Sequence, residues 1–132
     1  MQKVLDFLAA NPVFQLATVD DGKARCRPFG FHLVDNKRIY FITGDAKKVC
    51  RQLKANPYFE LSVSNDKGEY MRLSGKAVFD TRQELLDRAF EMMPMLKDIY
   101  GPGGPAKPAM FYADEGEALI ADMQGRAETI KL

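Results

Sequence analysis

The 132-residue chain has the size of one domain and, with 46% hydrophobic residues, enough apolar content to bury its own core. Its 19 basic and 18 acidic residues leave a formal net charge of +1. That balance argues against a general nucleic-acid or membrane-surface binder, because such proteins carry a clear basic excess. No apolar run approaches the roughly 20 residues of a membrane-spanning helix, and residues 1–8 contain no signal-peptide core. A single cytoplasmic domain over residues 1–132 is predicted.

The first half of the chain is predicted to alternate between helices and strands. Asp20–Gly22 and the pair at 35–36 read as hairpin turns between strand-like runs. Later, Val49, Cys50 and Leu53 continue an apolar stripe at helical spacing that begins at residue 46. The predicted elements are a helix over 2–10, strands over 14–19, 24–34 and 38–43, and a helix over 46–55.

The second half is predicted to be richer in strands. A turn at Asn65–Gly68 separates two of them, and Thr81–Glu84 has the pattern of a capping box that opens a helix. Gly101–Pro108 is too rich in glycine and proline for regular structure. The predicted strands cover 58–64, 69–79, 110–113, 118–123 and 129–132. Seven or eight strands joined mainly by short turns favour an antiparallel barrel with helices on its outside.

The segment at 43–48 is the first candidate site, because it leaves a strand and enters a helix. With Asp45 as the predicted N-cap, the free backbone N–H groups of the first turn attract anions. Lys47 and Lys48 are unfavourable there unless an anion is bound, since cations prefer the other end of a helix. A phosphate would remove that conflict, and Thr43 could add a hydroxyl donor. The alternative is a pair of solvated surface lysines, and this segment alone does not decide between them.

A second candidate lies in the strand at 25–32. Strict alternation puts Arg27 on the same face as two aromatic residues, at positions 29 and 31. Pro28 cannot donate to a strand ladder, and Gly30 lets another group approach the backbone closely. This combination suits a ligand with both a phosphate and a flat ring. The alternative is a bulged strand whose phenylalanines belong to the core.

The remaining chemistry-bearing residues give no site. Cys26 and Cys50 are too far apart for a metal-binding pair and are predicted to be reduced thiols that pack as small apolar residues. His32 is the only histidine, and a lone histidine supports neither a metal site nor a Ser-His-Asp arrangement. It is predicted to be structural or at the surface, and the acidic pair at 114–115 is predicted to lie in a turn. No metal site is predicted, and catalytic side chains stay unassigned.

Taken together, these segments resemble the pyridoxamine 5′-phosphate oxidase-like family of FMN-binding split barrels, over nearly the whole chain. Each motif is weak alone, and their order and spacing carry the resemblance. The matching segments are Asn11–Val19, Arg27–Phe31, Ile39–Thr43 followed by Lys47 and Lys48, Leu53–Pro57 and Arg72–Ala77. The resemblance implies a six-stranded split β-barrel that forms a homodimer, with two FMN sites at the subunit interface.

The resemblance also implies which residues bind FMN. The phosphate-binding positions of the family match Arg27, Thr43, Lys47 and Lys48. The backbone that lines the isoalloxazine ring matches Pro28, Phe29, Gly30, Phe41 and Ile42. Glu69 falls near the position where pyridoxamine 5′-phosphate oxidases place a glutamine that reaches the flavin from the partner subunit. An ionised carboxylate accepts hydrogen bonds but cannot donate them, so this contact differs from the family pattern.

The chain departs from the family pattern at two places that bear on its enzymatic activity. Pyridoxamine 5′-phosphate oxidases end in a segment whose tryptophan and arginine help to hold cofactor and substrate, whereas this chain has no tryptophan and ends Glu128–Leu132. The nitroimidazole-reductase-like branch carries a histidine just after the aromatic residue of the third strand, where this chain has Ile42. Neither specific activity is therefore predicted, and the chain resembles a short, general flavin-binding member.

The leading hypothesis is an FMN-dependent oxidoreductase acting on an unidentified small substrate, with a nicotinamide cofactor as a possible electron donor. The flavin would do the redox chemistry, while the protein sets its orientation and electronics. The alternative is a non-enzymatic flavin-binding protein with a storage, sensing or stress-related role. A barrel that only dimerises is a third class, and a nucleic-acid-binding barrel is disfavoured by the balanced charge. Neither a nucleic-acid nor a membrane partner is predicted.

Overall fold

The computed structural model describes residues 1–132 as four helices and eight strands in one sheet. None of the four helices has both the length and the apolar character that crossing a membrane requires. The helices are α1 (Gln2–Ala10), α2 (Lys48–Ala55), α3 (Gln83–Met92) and α4 (Met95–Tyr100). The strands are β1 (Phe14–Asp20), β2 (Lys23–Phe29), β3 (Leu33–Asp35), β4 (Arg38–Gly44), β5 (Tyr58–Ser64), β6 (Tyr70–Phe79), β7 (Pro108–Ala121) and β8 (Ala127–Lys131).

Every strand pair in the sheet is antiparallel, in the order β2-β1-β5-β6-β7-β4-β3, with β8 added to β7. The sheet is open but strongly curled, because the rings of Phe14 on β1 and Phe41 on β4 pack 5.5 Å apart although three strands separate β1 from β4 in the sheet. The predicted class, a mainly antiparallel split barrel with peripheral helices, is confirmed. The sheet has eight strands where the family resemblance implies six.

The strand β4 is buried on both of its faces. Ile39 and Phe41 point into the core that the curled sheet encloses with α1 and α2. Tyr40 and Ile42 point the other way, into a second core beneath α3 and α4. Since successive side chains of a strand alternate between faces, only an apolar run can satisfy both cores. This is why residues 39–42 read as uninterrupted apolar sequence, followed by the buried Thr43.

The predicted strand over 24–34 is wrong in one respect, because the structure divides it. β2 ends at Phe29 and β3 begins at Leu33. The two strands lie at opposite edges of the open sheet, one on β1 and the other on β4. The chain therefore crosses between the two edges at Gly30–His32. Alternation cannot reveal such a crossing, since both flanking segments keep a strand pattern.

The predicted starts of α2 and α3 are also wrong, whereas that of α1 is confirmed. α2 begins at Lys48 with Lys47 as its N-cap, not Asp45, because a turn in which the Lys47 N–H donates to the Gly44 carbonyl comes first. At α3 no capping box forms, and the N-cap is residue 82. The Thr81 hydroxyl instead accepts a hydrogen bond from the N–H of Met110 on β7. In both places a tertiary or turn contact replaces the predicted local cap.

The strand β7 replaces the two strands and the acidic turn predicted between residues 110 and 123. It runs unbroken through residues 114–115, with Glu115 at φ 53° and a register shift against β6 between Ser74 and Lys76. Gly75 lies at this irregularity, where an added Cβ would come within 3.0 Å of the Asp114 carbonyl oxygen. The bend lets one long strand pair with β4 through its first half and with β8 through its second half.

Phe111 on β7 should be a stability-determining residue of the inner core. It is fully buried, and its ring packs 5.5–6.3 Å from four others, those of Phe29, Phe41, Phe59 and Phe79. Phe111→Ala is expected to lower the free energy of unfolding by about 3–5 kcal/mol in denaturant titration, because it leaves a cavity among these rings. Val13→Ala, at a residue that is 63% exposed, is the control and should change it by less than about 0.5 kcal/mol. Equal effects of the two substitutions would contradict this account of the core.

Candidate functional site

A cleft of about 360 Å³ opens where the chain crosses between the edges of the sheet. One wall is the end of β2 and the crossing segment, and the floor is the end of β4 with the start of α2. The helices α3 and α4 form the opposite wall. The lining residues are Arg27, Pro28, Phe29, Gly30, Phe31, Ile42, Thr43, Lys47, Val49, Met93, Met95, Leu96, Ile99 and Tyr100.

Arg27 is held in place by hydrogen bonds to neutral groups. Its Nη1 donates to the Thr18 hydroxyl at 2.8 Å and to the Leu16 carbonyl at 3.2 Å, both on β1. Its Nη2 donates to Oε1 of Gln52 on α2 at 2.6 Å, and the Thr18 hydroxyl donates to the same oxygen at 2.6 Å. The guanidinium therefore joins β2, β1 and α2. Burial lowers the pKa of Arg27 from its usual value, with a smaller opposing contribution from Cys26.

The positive charge of Arg27 is not neutralised by these contacts. Its three hydrogen bonds go to two uncharged side chains and one carbonyl, and no carboxylate pairs with it. A guanidinium carries five N–H donors, so two of them remain without a partner in the chain. Lys47, at the same end of the cleft, also makes no ion pair and is exposed. This end of the cleft is consequently electropositive and rich in free donors.

Two further kinds of donor face the same end. Thr43 is only 3% exposed, lines the cleft, and its hydroxyl makes no hydrogen bond within the chain. At the first turn of α2, the backbone N–H groups of Lys48 and Val49 form no hydrogen bond within the chain either. The Thr43 hydroxyl is accessible from the cleft and free to donate, and unpaired N–H groups at a helix start favour an anion. The donors at this end therefore suit a phosphate or another oxyanion.

A polar groove of about 610 Å³ adjoins the cleft and shares Arg27, Lys47 and Val49 with it. Lys48 lies in this groove and makes no ion pair. The one ion pair in the groove joins Arg25 and Asp20, both largely exposed, at 3.2 Å. The groove thus extends the positive charge of the cleft along the start of α2.

Most of the predicted site residues come together in the cleft. The seven that line it are Arg27, Pro28, Phe29, Gly30, Ile42, Thr43 and Lys47. Lys48 lines the adjoining groove and not the cleft, and the side chain of Phe41 is fully buried in the inner core. Glu69 lies elsewhere, just before β6, where it accepts a hydrogen bond from the Asn65 side-chain amide at 2.9 Å. His32 lies next to the cleft without lining it, and burial lowers its pKa.

Sequence reasoning missed the wall that α3 and α4 contribute. Its members are apolar apart from one hydroxyl: Met93, Met95, Leu96, Ile99 and Tyr100. No element is predicted over 95–100. The available signal was the methionine-rich stretch around Pro94, since methionine side chains adapt to irregular apolar surfaces and ligands. Nothing local in that stretch shows that it faces the end of β4.

The curled antiparallel sheet, with a cleft at the gap between its two edges, defines a split-barrel protein. The chain belongs to the pyridoxamine 5′-phosphate oxidase family, because the family model of that description matches residues 1–129. A solved structure of a NimC/NimA family protein from Clostridium acetobutylicum is 35% identical, with a TM-score of 0.91 over 100% of this chain and 92% of that one. Among curated proteins, none matches.

Two more distant structures support the fold alone. General Stress Protein 26 from Bacillus anthracis is 16% identical with a TM-score of 0.77, over 99% of this chain and 97% of that one. A pyridoxamine 5′-phosphate oxidase-related, FMN-binding protein from Nostoc punctiforme is also 16% identical, with a TM-score of 0.66 over 99% and 95% of the two chains. The split barrel is therefore common to proteins that share little sequence with this chain.

Gln52 is expected to contribute to stability because it accepts hydrogen bonds from two donors, the buried Thr18 and the half-buried Arg27. Gln52→Ala removes the acceptor of both Arg27 and Thr18, so the free energy of unfolding should fall by about 1–3 kcal/mol in denaturant titration. Gln15→Ala is the matched control, since Gln15 is exposed on β1 and its side chain makes no hydrogen bond. A Gln52 variant as stable as the control would show that the contacts of Arg27 do not stabilise the fold.

Proposed function

We propose that the cleft binds FMN, with the phosphate at Arg27, Thr43, Lys47 and Lys48, and that the protein is an FMN-dependent oxidoreductase acting on a small substrate. One observation carries the proposal. Unneutralised cations and a hydroxyl that makes no hydrogen bond within the chain stand at one end of a cleft whose other walls are mostly apolar. A molecule with a phosphate at one end and a flat, largely apolar ring at the other matches that distribution of charge.

The electropositive end of the cleft suits the phosphate of FMN because it is rich in hydrogen-bond donors. Phosphate oxygens accept several hydrogen bonds, and charge-assisted bonds from guanidinium and ammonium groups are the strongest of these. The Thr43 hydroxyl and the free N–H groups at the start of α2 add neutral donors, and a bound anion would satisfy them. An anion would also offset the two lysines at a helix start, where cations are otherwise unfavourable.

The apolar part of the cleft suits the flat isoalloxazine ring of FMN because of its shape. Phe31, Ile42 and Leu96 are buried apolar side chains that line the cleft. Pro28 and Gly30 form an exposed rim, and a Cβ added at Gly30 would have no atom within 4 Å, so a flat ring could lie directly against the backbone there. When bound, the flavin would supply hydride or electron transfer. The residues of the chain bind and orient it and exclude water.

A homodimer is part of the proposal. The rim residues Pro28, Gly30 and Met95 are exposed, so a second copy could cover the open side of the cleft. Glu69 does not line the cleft of its own chain, and a contact with flavin would therefore have to come from the partner subunit. This arrangement agrees with the interface sites that the family resemblance implies.

A second candidate function is flavin binding without turnover, in storage, sensing or a stress response. The observation in its favour is that no aspartate, glutamate, histidine or cysteine lines the cleft. The cleft therefore offers no carboxylate, imidazole or thiol as an acid or base. Flavin hydride transfer does not require one, so the same observation is compatible with the oxidoreductase.

FMN binding is tested by absorption spectroscopy of the purified protein and by fluorescence quenching with added FMN. Lys47→Ala should raise the Kd for FMN about 10- to 100-fold, the loss expected for one charge-assisted hydrogen bond. Lys54→Ala, on the same helix but outside the cleft, is the matched control and should leave the Kd unchanged. A colourless protein that does not quench added FMN would refute the proposal. So would equal effects of the two lysine variants.

Turnover separates the two candidate functions. The protein is loaded with FMN, mixed anaerobically with NADH or NADPH, and followed at the flavin absorption maximum. An oxidoreductase should bleach the flavin within seconds, whereas a binding protein should leave it oxidised over many minutes. Free FMN under the same conditions is the control, and a rate equal to that of free FMN would favour the binding protein.

A further inference from the structure

A second polar groove continues the one that adjoins the cleft. This outer groove has a volume of about 540 Å³ and lies between the β1–β2 turn and α2. Lys48 and Gln52 line both grooves, and neither of them lines the cleft. The cleft and the two grooves therefore lie side by side, and the grooves lead away from the cleft along α2.

Positive charge is concentrated along these three cavities. Five basic and two acidic residues line them, a net charge of +3, whereas the whole chain carries only +1. Of the acidic residues, Asp20 pairs with Arg25, and Asp21 lies exposed in the β1–β2 turn. Lys48 and Arg51 make no ion pair. The grooves thus contain cations that the chain itself does not neutralise.

Gln52 adds a fixed hydrogen-bond donor one helical turn after Lys48. Its Oε1 accepts hydrogen bonds from Arg27 and Thr18, both at 2.6 Å, and these determine which end of the amide faces them. The amide nitrogen therefore points away from both donors, and it makes no hydrogen bond within the chain. It is accessible, because every fully inaccessible side-chain polar atom has a partner. An amide held in this way can donate to a ligand without first being ordered.

We propose that Lys48, Arg51 and the Gln52 amide form a subsite for a second phosphate, which belongs to an adenosine nucleotide. The inference rests on the proposed function, because the flavin phosphate is assigned to Arg27 and Lys47, which line both the cleft and the adjoining groove. A group joined to that phosphate enters the groove directly. FAD differs from FMN by such a group, an adenosine monophosphate, so the subsite should make FAD the tighter ligand.

The size and lining of the grooves suit an adenosine phosphate. Their volumes, about 610 and 540 Å³, lie within the range of about 300–1,000 Å³ that is common for small-molecule sites. The outer groove adds the apolar side chain of Val19 and the guanidinium of Arg51, a group that stacks on flat rings. A nicotinamide cofactor carries the same adenosine phosphate as FAD and is therefore a second source of this chemistry.

The test measures the Kd of FMN and of FAD by titration calorimetry for the wild type and two variants. The wild type should bind FAD about tenfold more tightly than FMN. Arg51→Gln should weaken FAD about threefold to fivefold and leave FMN unchanged, because Arg51 lines only the outer groove. Lys54→Gln is the matched control. It removes the same charge from the same helix outside all three cavities and should change neither Kd.

A second titration identifies the source of the adenosine phosphate. NADP⁺, which cannot reduce the flavin, is titrated into the same three proteins after they have been loaded with FMN. If Arg51→Gln weakens NADP⁺ and not FAD, the subsite belongs to the nicotinamide cofactor. If it weakens FAD and not NADP⁺, the subsite belongs to the flavin, and a loss for both ligands shows that it accepts either.

The subsite is refuted if Arg51→Gln changes the affinity for neither FAD nor NADP⁺. Equal losses for FMN and FAD in Arg51→Gln, or losses of the same size in Lys54→Gln, also overturn it, because the effect would then come from the general field of the helix. In each of these cases FMN binding by the wild type still supports the proposed function. A wild type that binds no flavin refutes the proposed function and the subsite together.

Discussion

The cleft depends on the hydrogen bonds that hold Arg27 against Thr18 and Gln52. β2 is an edge strand that pairs only with β1, and five of its seven residues are exposed, so the packing of its own side chains does little to fix its position. The guanidinium reaches across β1 to α2 and ties three elements together. Since only a short turn joins β4 to α2, this contact sets the distance between the end of β2 and the end of β4. The cleft is the space left between them.

The hydrogen bonds of Arg27 also leave its positive charge in place. Hydrogen bonds to a hydroxyl, an amide oxygen and a carbonyl compensate the guanidinium for lost water without cancelling its charge. A glutamate in place of Gln52 would hold the arginine equally well and would neutralise it. The glutamine therefore keeps the site positive, and the unpaired Lys47 adds to the same field. An anion bound at this end would balance the positive charge that the fold leaves unneutralised.

Much of the local structure was predictable because it has local causes. The apolar stripe of α2, the hairpin turns and most strands followed from periodicity and turn residues, and seven of the ten predicted site residues line the cleft. The predictions were wrong where a segment distant in sequence sets the local structure. Asp45 is not a cap because a turn precedes α2, and the run over 24–34 divides because the chain passes between sheet edges. That the backbone of Phe41 lines a flavin ring stays a prediction, and its side chain lies in the inner core because β4 faces two cores.

By itself, the sequence determined the residue chemistry and the local elements: a strand-to-helix junction with Thr43 and Lys47, and a strand that carries Arg27. It determined these because hydrogen bonding and side-chain alternation act within a few residues. The way the chain folds in three dimensions brings both segments to one cleft, leaves Lys48 and Glu69 outside it, and makes Tyr100 part of its lining. Those placements depend on how far the sheet curls and on where α4 packs. Both are set by contacts between residues distant in sequence.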